Sequence, residues 1–233
     1  MITLYQFTPA FGLPNASPFC MKLETFLRMS DLDYRTETVI DMRKAPKGKL
    51  PFADIDGTII ADSSLIIDFI ETKYCIDLDA SLTAIDQARS HAIRKMLEEN
   101  FYWTLVYSRW IDDRYWPQMR QAFFGFLPPV VRSIVSSVVR RKVRQDMQRQ
   151  GIGRHSADEI YNIGRKDLAA VVELLGDNSY IMGDKATKTD ATLYGFIANV
   201  LYSPIESPLK EFASKHKSLE QYCKRMHTQY FTV

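Results

Sequence analysis

The sequence of 233 residues has little from which to build a cross-linked or metal-bound protein. Its three cysteines, Cys20, Cys75 and Cys223, are widely spaced and odd in number, which suits a reducing compartment better than a disulfide framework. The four histidines neither pair at helical spacing nor sit beside a cysteine, and HExxH and CxxC patterns are absent, so no metal site is expected. An excess of one charge is lacking too. Thirty Lys and Arg stand against 28 Asp and Glu, and the net +2 argues against nucleic acid as a partner and confines any basic patch to one locality. No apolar run reaches the ~18 residues of a membrane span, and Met1 to Phe11 has neither a basic leader nor the apolar run of a signal peptide. The expectation is a soluble protein of the cytoplasm. What remains is an ordinary globular composition, 46% hydrophobic and 25% charged, enough for one large or two small domains.

Ile2 to Phe7 alternates and is rich in strand formers, which predicts a first strand. Gly12, Pro14 and Asn15 punctuate a loop, after which Ser17 and Pro18 make an N-cap and a first helical residue. The helix should run to about Ser30, with Phe19, Leu23, Phe26 and Leu27 as its apolar stripe. Tyr34 to Ile40 reads as a second strand and Arg43 to Lys49 as a loop. Pro51 opens a strand that turns at Asp56-Gly57, a hairpin signal, into Thr58 to Ala61. Asp62 and Ser63 then cap a helix through about Tyr74. Beyond Ser81 the strand signal ends, and three-and-four periodicity marks Ile85 to Arg114, Asp158 to Leu175, Ala191 to Leu201 and Leu209 to Met226. The expected organisation is an α/β domain over residues 1–76 and an all-helical domain over 82–233, with a long insertion around 116–155.

Four features of the first domain bear on chemistry. At Ser17-Pro18-Phe19-Cys20 a hydroxyl, free backbone N–H groups and the positive end of a helix converge, which favours an anion and, in particular, a thiolate. At Leu50-Pro51 the tertiary amide makes a cis bond accessible, and the bend would present the Leu50 backbone. Asp62 and Ser63 offer a carboxylate for an ammonium group and a hydroxyl with N–H donors for a carboxylate. Lys49 adds a cation beside the bend. Each has a plainer reading: Ser17 and Asp62 as simple caps, Cys20 as a small buried hydrophobe.

In this order and spacing, the motifs resemble the thioredoxin-like domain of cytosolic glutathione transferases followed by their helical domain. Ser17 to Met29, Lys47 to Phe52, Ala61 to Ser64 and the run EENFYWTLVYSRW ending at Trp110 are similar to the failed-axon-connections and metaxin-like branch. Thr187-Lys188-Thr189-Asp190 resembles the capping box of that fold's buried helix. The resemblance implies glutathione held in extended form: Ser17 donating to the sulfur, Leu50 and Pro51 at the cysteinyl backbone, Asp62 and Ser63 at the γ-glutamyl end, Lys49 at the glycyl carboxylate. Tyr5 is a rival hydroxyl, and Cys20, at the second position of a glutaredoxin-type motif whose first cysteine is replaced by Ser17, leaves a monothiol route open. It further implies a homodimer and a small hydrophobic electrophile between the domains, beside Tyr102, Trp103, Tyr107 and Trp110. The alternative is a catalytically silent scaffold for membrane or protein targeting.

One stretch departs from this pattern. Phe123, Phe124, Phe126 and Leu127 lead through two prolines into a valine-rich helix, and Arg132 to Arg149 holds six basic residues against Asp146. A basic amphipathic helix over 123–144 can contact a membrane surface, whereas a helical hairpin would pack on its own domain or on a dimer mate. Packing is the preferred expectation, because a β-branched helix needs burial to persist. A segment bent over the cleft would also act as a lid.

Overall fold

The computed structural model describes residues 1–232. Strands β1 (Ile2–Gln6), β2 (Tyr34–Thr38), β3 (Phe52–Ile55) and β4 (Thr58–Ala61) form one sheet in the order β2-β1-β3-β4. β1 pairs with β2 in parallel and with β3 antiparallel, and β3 and β4 form the hairpin. Its turn has φ of 52° at Asp56 and 87° at Gly57, the paired positive angles that a two-residue hairpin requires. Helices α1 (Pro18–Met29) and α2 (Ser63–Tyr74) cover one face, where Leu23, Phe26 and Leu27 meet Ile2, Leu4, Ala53 and Ile55 beside Ile66, Ile67 and Ile70. This is the thioredoxin-like arrangement, and everything beyond it is helical.

The helical part begins with α3 (Ala84–Lys95), which continues without a break through α4 (Tyr102–Val106) to Ile111. The periodicity had suggested a uniform helix to Arg114. Instead residues 96–101 and 107–111 are wider π turns, and Asp112 ends the helix. Then come α5 (Trp116–Phe124), α6 (Pro129–Gln150), α7 (Ala157–Leu175), α8 (Lys188–Leu201), α9 (Pro208–Ser214) and α10 (Lys217–Tyr230). The stretch Leu209 to Met226 is thus two helices: the amides of Lys215 and His216 turn back to the Phe212 and Ala213 carbonyls, and His216 is extended. The apolar spacing survives this break because both helices face the same core. α8 is buried on every side, and Asp190 accepts bonds from the Thr187 N–H and hydroxyl, from the Ile181 N–H and from Tyr222 Oη.

The 116–155 segment departs from the expected hairpin in its geometry. α5 and α6 meet at a bend of 115°, not as a side-by-side hairpin. Along α6 the apolar residues occupy the first half and the cations the second, and the valines on its outward side are exposed in this chain. No single helix is long and apolar enough to cross a membrane among the described residues.

Candidate functional site

Ser17 caps α1 from an extended backbone, and its Oγ accepts only a long 3.4 Å bond from the Cys20 N–H. Within the chain its proton can turn to the buried Cys20 sulfur, whose pKa it lowers, and it can turn instead to a ligand at the start of α1. The two residues in front of it are tied down. Asn15 Nδ2 donates to the Phe7 carbonyl at 2.7 Å, and its Oδ1 receives the Ser17 N–H at 2.9 Å. Arg109 Nη1 donates to the Ala16 carbonyl at 2.6 Å. Its Nη2 holds Asn199 of α8 through both carbonyl and side-chain oxygen, at 2.7 and 2.9 Å. Arg109 is 4% exposed and has no carboxylate partner among the described residues; burial lowers its pKa to about 10, which leaves it cationic at neutral pH. A buried cation met by carbonyl dipoles and by the Phe11 ring, 5.5 Å from its guanidinium carbon, thus stands directly behind the start of α1. Such a charge favours an anion nearby.

The rival groups are differently placed. Cys20 is fully buried among Val39, Ala45, Leu50, Phe52 and Ala61, and desolvation pushes its thiol up to about 12, outweighing the Ser17 hydrogen bond. Such a thiol is an inert core residue rather than a nucleophile. Tyr5 stacks on Phe52 with ring centroids 4.3 Å apart and belongs to the same cluster.

Leu50 and Pro51 are joined by a cis bond, and the Leu50 peptide makes no hydrogen bond to the described chain, because the ladder begins at Phe52. Lys49 is exposed beside it, with no ion pair among the described residues. Asp62 stands at φ 95°, which for a residue with a Cβ costs about 1 to 3 kcal/mol. Its Oδ1 accepts the N–H groups of Ser64 and Leu65, leaving Oδ2 without a partner in the described chain. Ser63 follows with no side-chain hydrogen bond of its own among the described residues.

Beneath α2 lies a pair that the sequence did not disclose. Lys22 of α1, 1% exposed, donates to Glu98 Oε1 at 2.6 Å and to Ser64 Oγ at 2.7 Å. Burial lowers the pKa of this ammonium and Glu98 opposes the shift. The bond to Ser64 fixes the start of α2 to α1 and to the long helix. Glu98 and Arg109 both lie in the π turns, where the wider winding shifts the helical register and brings charged residues inward.

The expected aromatic row is divided. Tyr102 meets Phe19 of α1 edge-on at 5.0 Å, and Tyr107 turns to Tyr161. Trp110 stacks on Phe123 at 5.3 Å, and Phe123 touches Phe11 in the loop before Ser17. α5 therefore reaches the loop before Ser17. The chain supplies an anion-favouring helix start, an unpartnered peptide and an acid-hydroxyl pair, and no group of three or more metal-ligating side chains occurs among the described residues.

Two families match in succession: the glutathione S-transferase N-terminal domain over residues 18–115 and the glutathione S-transferase C-terminal domain over residues 164–226. An isoprene-epoxide glutathione S-transferase of Rhodococcus sp. (strain AD45) is 30% identical over 241 residues, covering 99% of both chains. Failed axon connections of Drosophila melanogaster is 32% identical over 92% of this chain, which spans 54% of that protein. Human Metaxin-2 is 21% identical over 91% of this chain and 81% of its own. Among solved structures, a glutathione transferase from Phanerochaete chrysosporium superposes with a TM-score of 0.68 at 20% identity, covering 100% of this chain and 98% of that one, a likeness of fold.

Proposed function

Because the chain belongs to the glutathione S-transferase family, we propose that it binds glutathione along the Ser17, Leu50 and Asp62 edge of the sheet and transfers the thiol to a small hydrophobic electrophile. The observation that carries this reading is a set of under-used polar groups: the Leu50 peptide and Asp62 Oδ2 have no partner among the described residues, and the Ser17 hydroxyl is engaged only by Cys20. A tripeptide in extended form uses each. Leu50 pairs with the cysteinyl backbone beside Pro51, the Asp62 carboxylate receives the γ-glutamyl ammonium, and the Ser63 hydroxyl and N–H receive its carboxylate. Lys49 meets the glycyl carboxylate.

Ser17 donates to the sulfur, and the α1 terminus and Arg109 lower the energy of the thiolate relative to the thiol. The thiolate then attacks the electrophilic carbon, forming a carbon–sulfur bond as the leaving atom takes the electron pair. The isoprene-epoxide enzyme supports an electrophile of this class, and Phe11, Trp110 and Phe123 offer an apolar wall on which to seat it.

Calorimetric titration with reduced glutathione tests the binding, with Asp62→Ala/Ser63→Ala as the control. Saturation by the wild type and its loss in the control are expected. Ser17→Ala should keep the affinity but raise the bound thiol's pKa, read from thiolate absorbance against pH, by about one to two units, the worth of one charge-assisted hydrogen bond. A second reading, a silent scaffold, is supported by the likeness to metaxins and by the exposed face of α6. A wild type that binds no glutathione would select it.

A further inference from the structure

The surface of α5 and α6 differs from the rest of the molecule in charge and polarity. From Arg114 to Gln145 the chain has six arginines and one lysine and no aspartate or glutamate. Within that stretch, Gln121 to Val139 contains a single charged residue, Arg132. The bend carries Phe126, and one side of α6 carries Val130, Ile134 and Val138, which are 71%, 72%, 61% and 63% exposed in that order. Val131 and Val135 widen this stripe. In the first half of α6 only Ser136 is buried, so this stripe lies on the side turned away from the molecule.

The one charge in the tip is consumed internally. Arg132 donates to Gln121 Oε1 at 2.8 Å, to the Gly125 carbonyl at 2.9 Å and to the Leu127 carbonyl at 3.0 Å. It closes the bend and satisfies carbonyls that the end of α5 would leave bare. Past Val139 the polarity reverses. Arg140 turns inward to the Trp110 and Ile111 carbonyls and to Asp113. Arg141, Lys142 and Arg144 stay exposed with no ion pair among the described residues.

We propose that this tip docks on an anionic phospholipid bilayer, with Phe126, Val130, Ile134 and Val138 entering the acyl boundary and Arg141, Lys142 and Arg144 at the lipid phosphates. A second copy of the chain fits the face poorly, because the same region of the copy has the same sign and no acid to meet the cations. Hydrocarbon demands that backbone groups be satisfied from within, which is what Arg132 does at the bend. Apolar and basic residues follow one another along the helix, so the tip is immersed while the cations remain at headgroup depth. An apolar wedge and a basic cluster together supply the two signals that stable surface attachment requires.

The test is co-flotation of the full chain with phosphatidylcholine vesicles with and without phosphatidylserine. Binding to the anionic vesicles alone, weakening as salt rises, is expected. Ile134→Asp/Val138→Asp should abolish it, and Arg141→Gln/Lys142→Gln/Arg144→Gln should lower partitioning about 100-fold, at about fivefold for each cation. These residues are exposed, so melting and glutathione titration should match the wild type, which separates this proposal from the glutathione reading. Absence of flotation, or flotation retained by both variants, overturns it. So does a wild-type dimer that Ile134→Asp/Val138→Asp dissociates in sedimentation without any lipid binding.

Discussion

Two buried ionisable side chains, Arg109 and Asp167, show how desolvation acts when no opposite charge is supplied. Arg109 remains a cation because its intrinsic pKa is so high that burial brings it only to about 10. Asp167 on α7 has less room. Its carboxylate receives one hydrogen bond, from Asn100 Nδ2 at 2.7 Å, and burial pushes its pKa up to about 6. The unfolded value is near 4, so ionisation is harder in the folded state. The penalty is complete above pH 6, shrinks as the folded form takes up its proton, and is gone below pH 4. Asp167→Asn keeps the bond from Asn100 and removes the charge. It should therefore stabilise the protein at pH 8 by about 2 kcal/mol, or roughly 4 to 8 °C, with the gap to wild type closing between pH 6 and pH 4. Calorimetric melts of both proteins across that range decide it.

At the level of elements, α1 and α8 pack backbone to backbone. A Cβ on Gly195 would lie 2.6 Å from the Pro18 carbonyl oxygen and 3.0 Å from the Lys22 nitrogen, both main-chain atoms that cannot step aside. Gly195→Ala should push the start of α1 off its seat, costing about 1 to 3 kcal/mol and weakening glutathione binding. Gly164→Ala, crowded by Leu209 and Thr104 away from Ser17, should lower the melting temperature comparably and leave binding intact. Titrating both variants separates a displaced site from a merely less stable fold. The same two helices show what was legible in the sequence. Ser17, Leu50-Pro51, Asp56-Gly57 and Asp62 act through turns and caps formed by near neighbours in the chain, and so could be read. Lys22, Glu98, Arg109 and Asn199 act across elements, and two of them lie in π turns that no regular period describes. The outward valines of α6 mark a further limit: spacing shows which residues share a face, not whether anything covers it.

For the molecule as a whole, we propose the division at 1–76 and 82–233 as a boundary of pattern rather than of cooperative folding. Leu13 and Met21, from the first part, are buried in the same cluster as Phe101, Tyr194 and Ile197, while Ala191 of α8 is buried with the sheet residues Leu4 and Ile55. The intervening Asp79 accepts the Lys188 N–H at the start of α8, and Lys188 Nζ reaches Glu71 of α2 at 3.1 Å. Parting the two units would expose both cores, take the Ala16 carbonyl from Arg109 and leave the Lys22 ammonium without Glu98. Unfolding should therefore be a single transition. Trp103, Trp110 and Trp116 all report from the helical part, and the Cys20 thiol reports from beneath the sheet, where it is shielded until the first part opens. In a guanidinium titration, tryptophan fluorescence and peptide-resolved labelling of Cys20 should share one midpoint. Labelling of Cys20 at lower denaturant, with fluorescence still native, would show that the sheet opens by itself and that the α1–α8 seam does not bind the halves into one unit.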